Sequence, residues 1–417
     1  MRACYVLLGR GPLRRSFSRV APAILASVSL GAGVATSAAQ TFTYTGTAKP
    51  VPSATAKPSL SELLRGNSTA RAYPLGYLAS LDGVRGLMTL GVLAAHTRIL
   101  LFPGAIVFMD AFFAMSGYLI TSLLINEFRR TGKIDFVKFY LRRLKRLYPA
   151  LIAMLILSLI VAAIFSQEFW MRVIDEFVAL TYISNYWRAY HMPGLWYNTH
   201  TWSLSLEEQF YIIWPLTFVL LMRCFRLSWT MVLILVAMAL GFWAWRIYLT
   251  FEGASIERLY NSFDTRADSL LFGCALAIVL KLFDLSSHPQ LCKMLAWSLL
   301  PLSALGIFWG LKINDHMRWY YIVSPLMGSI PAALCVASLV QPQRIFMHAI
   351  YEHPAPVFLG RICYGLYIWH YPVFSLLRGK FEQPYIGVFL IGWPVAFGLA
   401  LTSYFLIERR FMRARPV

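Results

Sequence analysis

The chain has 417 residues, of which 58% are hydrophobic, 15% aromatic and only 14% charged, and its mean hydropathy is +0.59. Such a balance excludes an ordinary soluble globular domain and points to a polytopic membrane protein. The formal charge of +19 sits mostly in short segments between apolar runs, so it reads as membrane topology and not as nucleic-acid binding. The six cysteines are scattered without metal-ligand or disulfide spacing.

Residues 1–76 form a basic N-terminal extension with five arginines before Val20 and no acid before Glu62. The run VAPAILASVSLGAGVATSAAQ resembles a signal or transit segment. The Thr/Pro/Ala-rich stretch after it is expected to be disordered. An unstructured or upstream-start extension is the alternative reading.

From Tyr77 the expected domain extends to residue 412, with a short basic tail at 413–417. Runs of about twenty apolar residues suit roughly 30 Å of hydrocarbon, and such surroundings dictate helices. The fold class is therefore all-α, a bundle of about ten transmembrane helices, placed near 79–100, 104–126, 148–166, 204–222, 229–249, 268–284, 294–311, 321–340, 355–377 and 385–407. The loop Glu127 to Tyr148 carries eight Lys or Arg and the C-terminal stretch ERRFMRARPV four arginines, which places both in the cytoplasm. Ten spans then start inside, and Arg223, Arg226, Lys281, Lys293 and Arg344 fall on the same side. A cleaved secretory signal would leave Tyr77 outside and contradict that topology.

The first span, LDGVRGLMTLGVLAAHTRIL, contains Asp82, Arg85 and His96. Eleven residues at about 100° each bring Arg85 and His96 within about 20° of one face, some 16 Å apart along the axis, so both are expected in one groove. Ionisable groups at that depth are costly unless they face a polar cavity or perform a task. The second span brings Asp110, at its outer end and open to solvent on a structural reading, and Ser116 beside the small residue Gly117. FYLRRLKRLYP supplies Arg142, Arg143 and Arg146, suited to anionic lipid headgroups or to a phosphate-bearing ligand.

THTWSLSLEEQFYIIWP opens the fourth span with His200, Trp202, Ser203, Glu207 and Glu208. Thr201 or Ser203 would cap the helix, and the two acids would suit its dipole. Arg266 and Asp268 stand at the outer start of a later span, and Arg361 and His370 in another. No histidine spacing indicates a metal site, so catalysis without metal is expected.

Taken together, these stretches resemble the acyltransferase-3 family of integral-membrane acyltransferases, which modify cell-envelope and exported glycans. The matching motifs are LDGVRGLMTLGVLAAH, DAFFAMSGYLIT, FYLRRLKRLYP, HTWSLSLEEQFYIIWP, RADSLLFG, ICYGLYIWHYPVF and SYFLIERRF, in the family's order over about residues 77 to 412. The resemblance implies a multi-pass enzyme of the bacterial inner membrane. Such an enzyme moves an acyl group, most often acetyl, from cytoplasmic acyl-CoA to a hydroxyl of a glycan or glycolipid acceptor. It binds no further cofactor, and its partners are the two substrates and membrane lipids.

In that scheme His96 is the catalytic base, or an acyl relay, and Arg85 orients the donor. Arg142, Arg143 and Arg146 grip the CoA diphosphate. Asp82, Asp110, Ser116, His200, Trp202, Ser203, Glu207, Glu208, Arg266, Asp268 and His370 support the site or its acceptor side. Longer members carry a fused hydrolase-like domain; this chain ends at SYFLIERRFMRARPV, so transfer to a distant acceptor by it alone is not expected. The rival class is a transporter or flippase with an intramembrane Arg/His pathway, against which stands the lack of visible inverted-repeat symmetry.

Overall fold

The computed structural model describes residues 68–69, 78–97, 102–165, 168–192, 197–379, 381–382 and 384–413. Nearly all of the N-terminal extension and the tail beyond residue 413 lie outside the described residues. Its only described part is a short strand, β1 (Ser68–Thr69), paired antiparallel with β2 (Gln343–Arg344).

The bundle begins with α1 (Ala79–Thr97), α2 (Ala105–Thr131) and α3 (Phe136–Phe165). Two shorter helices follow, α4 (Phe169–Leu180) and α5 (Ser184–Ala189), then a tight turn at Thr199–Thr201 leading into α6 (Trp202–Phe225). Next come α7 (Trp229–Phe251), α8 (Ile256–Asn261), α9 (Ala267–Leu282) and α10 (Pro289–Lys312). The chain closes with α11 (Arg318–Val340), α12 (Phe346–Tyr351), α13 (Pro354–Arg361), α14 (Cys363–Gly379) and α15 (Tyr385–Phe411). Wider π-helical turns interrupt α11 at Pro325–Ser329 and α15 at Val388–Gly392 and Tyr404–Glu408.

Among the described residues, seven helices are long and apolar enough to cross a membrane: α2, α3, α6, α7, α10, α11 and α15. Ile152, Ile156, Ile160 and Ile164 on α3 recur every fourth residue and are all exposed, an outward apolar stripe suited to lipid and not to water. The protein is an all-α, multi-pass membrane protein.

The remaining three expected spans are helical but differ in form. The α1 segment is 19 residues long and polar in its first turns, and α9 has only 16 residues. The ninth is broken at Ile362, which leaves helical geometry (φ −97°, ψ 4°) between α13 and α14. Two expected loops are also corrected. The basic segment at 127–148 is mostly helix, because α2 runs on to Thr131 and α3 starts at Phe136. The external stretch at 166–201 holds α4 and α5.

Two helix pairs meet backbone to backbone. A Cβ at Gly117 would lie 2.0 Å from the Leu270 carbonyl oxygen, and one at Gly273 1.9 Å from that of Ala114. The α2–α9 contact is thus reciprocal, and so is α1–α13, where a Cβ at Gly86 would meet the Pro356 carbonyl and one at Gly360 that of Asp82. Small residues at these points let helices approach closely enough for dispersion to hold them in lipid; forcing a methyl group in costs about 1–3 kcal/mol. The largest core cluster packs Phe113, Trp202, Phe210, Trp214, Phe218, Leu235 and Leu270 between α2, α6, α7 and α9. This packing fixes α1, α2, α6 and α14, the helices that carry the polar site.

Candidate active site

The centre of the site is a contact between two histidines from opposite ends of the sequence. His370 on α14 places Nδ1 3.1 Å from the Leu366 carbonyl and 2.7 Å from that of Tyr367. Carbonyls only accept, so Nδ1 carries the proton. In neutral His370 the lone pair is then on Nε2, which lies 3.0 Å from His96 Nδ1. His96 must donate there, leaving its own Nε2 as an unprotonated base. The Arg378 guanidinium donates to the His96 carbonyl (3.1 Å) and secures the end of α1.

His200 completes a cluster around the α14 rings. It stacks on Tyr371 (centroids 5.1 Å apart, 20° between planes) and meets His370 edge-on at 5.5 Å. His96 reaches the same Tyr371 at 5.2 Å. The turn bearing His200 is held from every side. Asp175 accepts from the Tyr197 and Asn198 amides, and Asn198 donates to Glu176 (2.9 Å). Arg188 donates to the Thr199 carbonyl, and the Tyr367 hydroxyl to that of His200 (2.8 Å). Thr201 and Ser205 both bond Ser184. Neither Thr201 nor Ser203 caps α6, contrary to expectation: the Thr201 hydroxyl bonds Ser184 and Asn198, and Ser203 pairs with the Tyr367 hydroxyl.

Towards the other end of α1 lies a cavity of about 500 Å³, lined by Asp82, Arg85, Ser116, Arg143, Arg146, Glu207, Glu208 and Tyr211 with Leu81, Leu119 and Leu204. The Ser116 hydroxyl donates to Glu207 Oε1 (2.8 Å), and Tyr211 donates to the other carboxylate oxygen (3.4 Å). The Arg143 guanidinium lies over the Tyr211 ring, 3.5 Å from its centroid, a cation–π contact. Three guanidinium groups thus converge on one chamber, and the helix dipole is not needed to explain Glu207 and Glu208.

A third polar group is sealed in the core. Asp110 is fully buried, which rules out the alternative of a solvated outer-end acid; it faces Arg266 at 3.1 Å and accepts from Tyr320 (2.5 Å) and Ser269 (3.1 Å). Asp268 is clasped by both ends of the Arg246 guanidinium (2.9 and 2.7 Å), which also bonds the Tyr321 carbonyl. Arg266 lies over the Tyr260 ring at 5.2 Å, and Tyr260 packs on Trp202 at 4.5 Å. Removing one member of such a buried pair typically costs about 3–5 kcal/mol. Asp110, Trp202, Arg266 and Asp268 therefore tie α2, α6, α7, α9 and α11 together.

The residues singled out in the sequence thus divide among three places. Arg85 and His96 do not share one chamber: Arg85 lines the cavity, and His96 meets α14 three turns further on. Asp82, Ser116, Arg143, Arg146, Glu207 and Glu208 join Arg85. His200, Ser203 and His370 join His96. Arg142 faces away and pairs with Glu127 at 3.2 Å, because adjacent positions on a helix diverge by about 100°. Sequence reasoning missed Arg246, Tyr211, Tyr367 and Tyr371; the last two flank His370 in GLYIWHYPVF, and aromatic neighbours of an intramembrane histidine were the available signal.

The sequence profile of the acyltransferase-3 family, an acyltransferase domain, matches residues 78–409. This chain belongs to that family. It is 30% identical over 333 residues to the O-acetyltransferase OatA of Staphylococcus aureus (strain NCTC 8325 / PS 47), covering 77% of this chain and 54% of the relative. The OatA of strain COL matches equally, and a second protein of that strain, SACOL0978, is 30% identical over 348 residues, covering 81% of this chain and 58% of its own length. The chain thus spans about half the length of the curated relatives it matches. No solved structure matches.

Glu176, outside the apolar spans, makes the clamp on the His200 turn sensitive to pH. Burial raises its carboxyl to about 8, against the Ser158 and Asn198 hydrogen bonds that favour the charged form. Between the ordinary carboxyl range and pH 8 the folded protein holds a proton that the unfolded chain has released, so stability falls as pH rises through that window. Thermal unfolding of detergent-purified protein is expected to show a midpoint that drops from pH 5 to 8, and a flatter profile in Glu176→Gln.

Proposed function

We propose that the protein is an O-acyltransferase of the bacterial inner membrane that moves an acetyl group from cytoplasmic acetyl-CoA to a hydroxyl of a cell-envelope glycan. The observation that carries this reading is the His370–His96 hydrogen bond, which leaves His96 Nε2 unprotonated beside the acceptor side of the bundle. The name of OatA, an O-acetyltransferase, supports acetyl as the group moved.

Donor binding falls to the cavity. Arg85, Arg143 and Arg146 present planar, permanently charged donors suited to a diphosphate. Arg129, Arg130, Lys138, Arg142 and Lys145, near the junction of α2 and α3, support a cytoplasmic position for that end. His96 stands about 16 Å along α1 from Arg85, a separation suited to the long thioester-bearing arm of CoA.

The chemistry follows from the tautomer. The acceptor hydroxyl gives its proton to His96 Nε2 as its oxygen attacks the thioester carbonyl. His370 accepts the Nδ1–H of the resulting imidazolium and holds the ring in place. Collapse of the tetrahedral intermediate breaks the C–S bond, and the CoA thiolate takes the proton from His96. The products are the glycan ester and free CoA.

His96→Ala should remove at least 99% of the transfer of radiolabelled acetyl from acetyl-CoA to envelope glycan in membranes, corresponding to the roughly 10²-fold lower bound for a lost acid–base group, with insertion and abundance unchanged. Full activity in that variant would remove His96 from the chemistry; no label from either protein would favour the transporter reading. Replacing Arg143 and Arg146 together by Gln is expected to raise the apparent KM for acetyl-CoA about tenfold or more, as expected for about 1.5–3 kcal/mol lost per charged hydrogen bond, whereas Arg142→Gln leaves it near wild type. Equal effects of the two would contradict a donor site in the cavity.

A further inference from the structure

Arg188 on α5 and Arg378 on α14 bring two guanidinium groups to the end of the bundle where His96 meets His370. Arg188 donates to the Thr199 carbonyl (3.1 Å), and Arg378 donates to the carbonyls of His96 (3.1 Å) and Phe374 (3.3 Å). Both are close enough to act on the His96 ring electrostatically. A guanidinium has five donors, so these carbonyls engage only a minority of them. Both side chains are half-buried, and among the described residues neither is paired with a carboxylate. The acids on α4 and α8, both packed against α5, have other partners: Glu257 faces His191 at 3.7 Å, Asp175 accepts from the Tyr197 and Asn198 amides, and Glu176 accepts from the Asn198 side chain.

Uncompensated cations at this place need a reason. Membrane topology does not supply it, because the bias for Lys and Arg belongs to the cytoplasmic side, and His96 lies at the other end of α1 from Arg85. The two charges also oppose the proposed chemistry. His96 becomes a cation when it takes the acceptor proton, and neighbouring like charge disfavours that step. An anion carried in by the acceptor would neutralise both guanidinium groups at the moment the base is used.

We infer that Arg188 and Arg378 bind the acceptor, and that the acceptor is an anionic glycan with a carboxylate or phosphate on the acetylated sugar or its direct neighbour. The inference rests on the acyltransferase reading above and deepens it by naming the class of acceptor. Planar guanidinium forks hold such groups in a fixed orientation, so the bound anion aims a nearby hydroxyl at His96 Nε2. The bonds made and broken are those of the acyl transfer; the arginines give up no proton, and the anion leaves unchanged on the glycan ester.

Glycan in membranes is labelled from radiolabelled acetyl-CoA, digested enzymatically to disaccharides and passed over an anion exchanger at neutral pH. The labelled disaccharide is expected to be retained; phosphatase treatment abolishes retention where the anion is a phosphate and leaves it where the anion is a carboxylate. Label confined to unretained fragments overturns the proposal. Arg188→Gln and Arg378→Gln are each expected to lower the rate at saturating acetyl-CoA about tenfold or more, with the apparent KM for acetyl-CoA within about twofold of wild type, as fits a lost hydrogen bond to a charged acceptor group. Lysine at either position keeps the charge and restores part of the rate. Gln variants as fast as wild type, or Lys variants as slow as Gln, overturn the proposal, because a purely structural hold on the backbone carbonyls needs an N–H and not a charge. Wild-type membranes that transfer no label overturn the acyltransferase reading itself.

Discussion

A polar group inside hydrocarbon must find a partner in the protein, and this constraint organises the bundle. Asp268 is clasped by Arg246, and Asp110 is surrounded by Arg266, Tyr320 and Ser269. These pairs join helices far apart in sequence and give the interior a fixed register. Against that background the tautomer that His370 imposes leaves an open lone pair on His96 Nε2. That lone pair marks the place where a substrate hydroxyl would supply the missing partner.

The same economy separates two tasks along one helix. Near its start, α1 contributes Arg85 to a cavity shared with Arg143 and Arg146; near its end it delivers His96 to α14. Close backbone contact at Gly86 and Gly360 keeps α1 against α13, just ahead of the segment carrying His370. On the proposed reading, a donor held by its phosphates at one level and reacting at another needs both ends of α1 rigid with respect to each other. A continuous helix provides that rigidity.

Much of this was legible in the sequence, for reasons that also set the limits. Apolar runs located the helices because lipid leaves few alternatives, and Arg85, His96 and His370 drew attention because charge in such runs is expensive. Side-chain partners were not legible, since they depend on contacts between distant helices. Nothing local distinguishes Arg142, paired with Glu127, from Arg143 one position on, which lies over Tyr211. Asp110 read as an outer-end acid until Arg266, 156 positions later in the numbering, was found against it. The basic segment at 127–148 read as a loop because topology accounts for its charge, yet all of its Lys and Arg except Lys133 sit on helical turns of α2 and α3.

The account rests on the protonation pattern of one histidine pair, and nitrogen-15 chemical shifts of the purified, histidine-labelled protein in detergent report it directly. With resonances assigned by loss in His96→Gln and His370→Gln, His96 at neutral pH should show a protonated Nδ1 and an unprotonated Nε2, and His370 a protonated Nδ1. A proton on His96 Nε2 in the neutral ring would contradict the account, because the base would then have no lone pair for the acceptor hydroxyl.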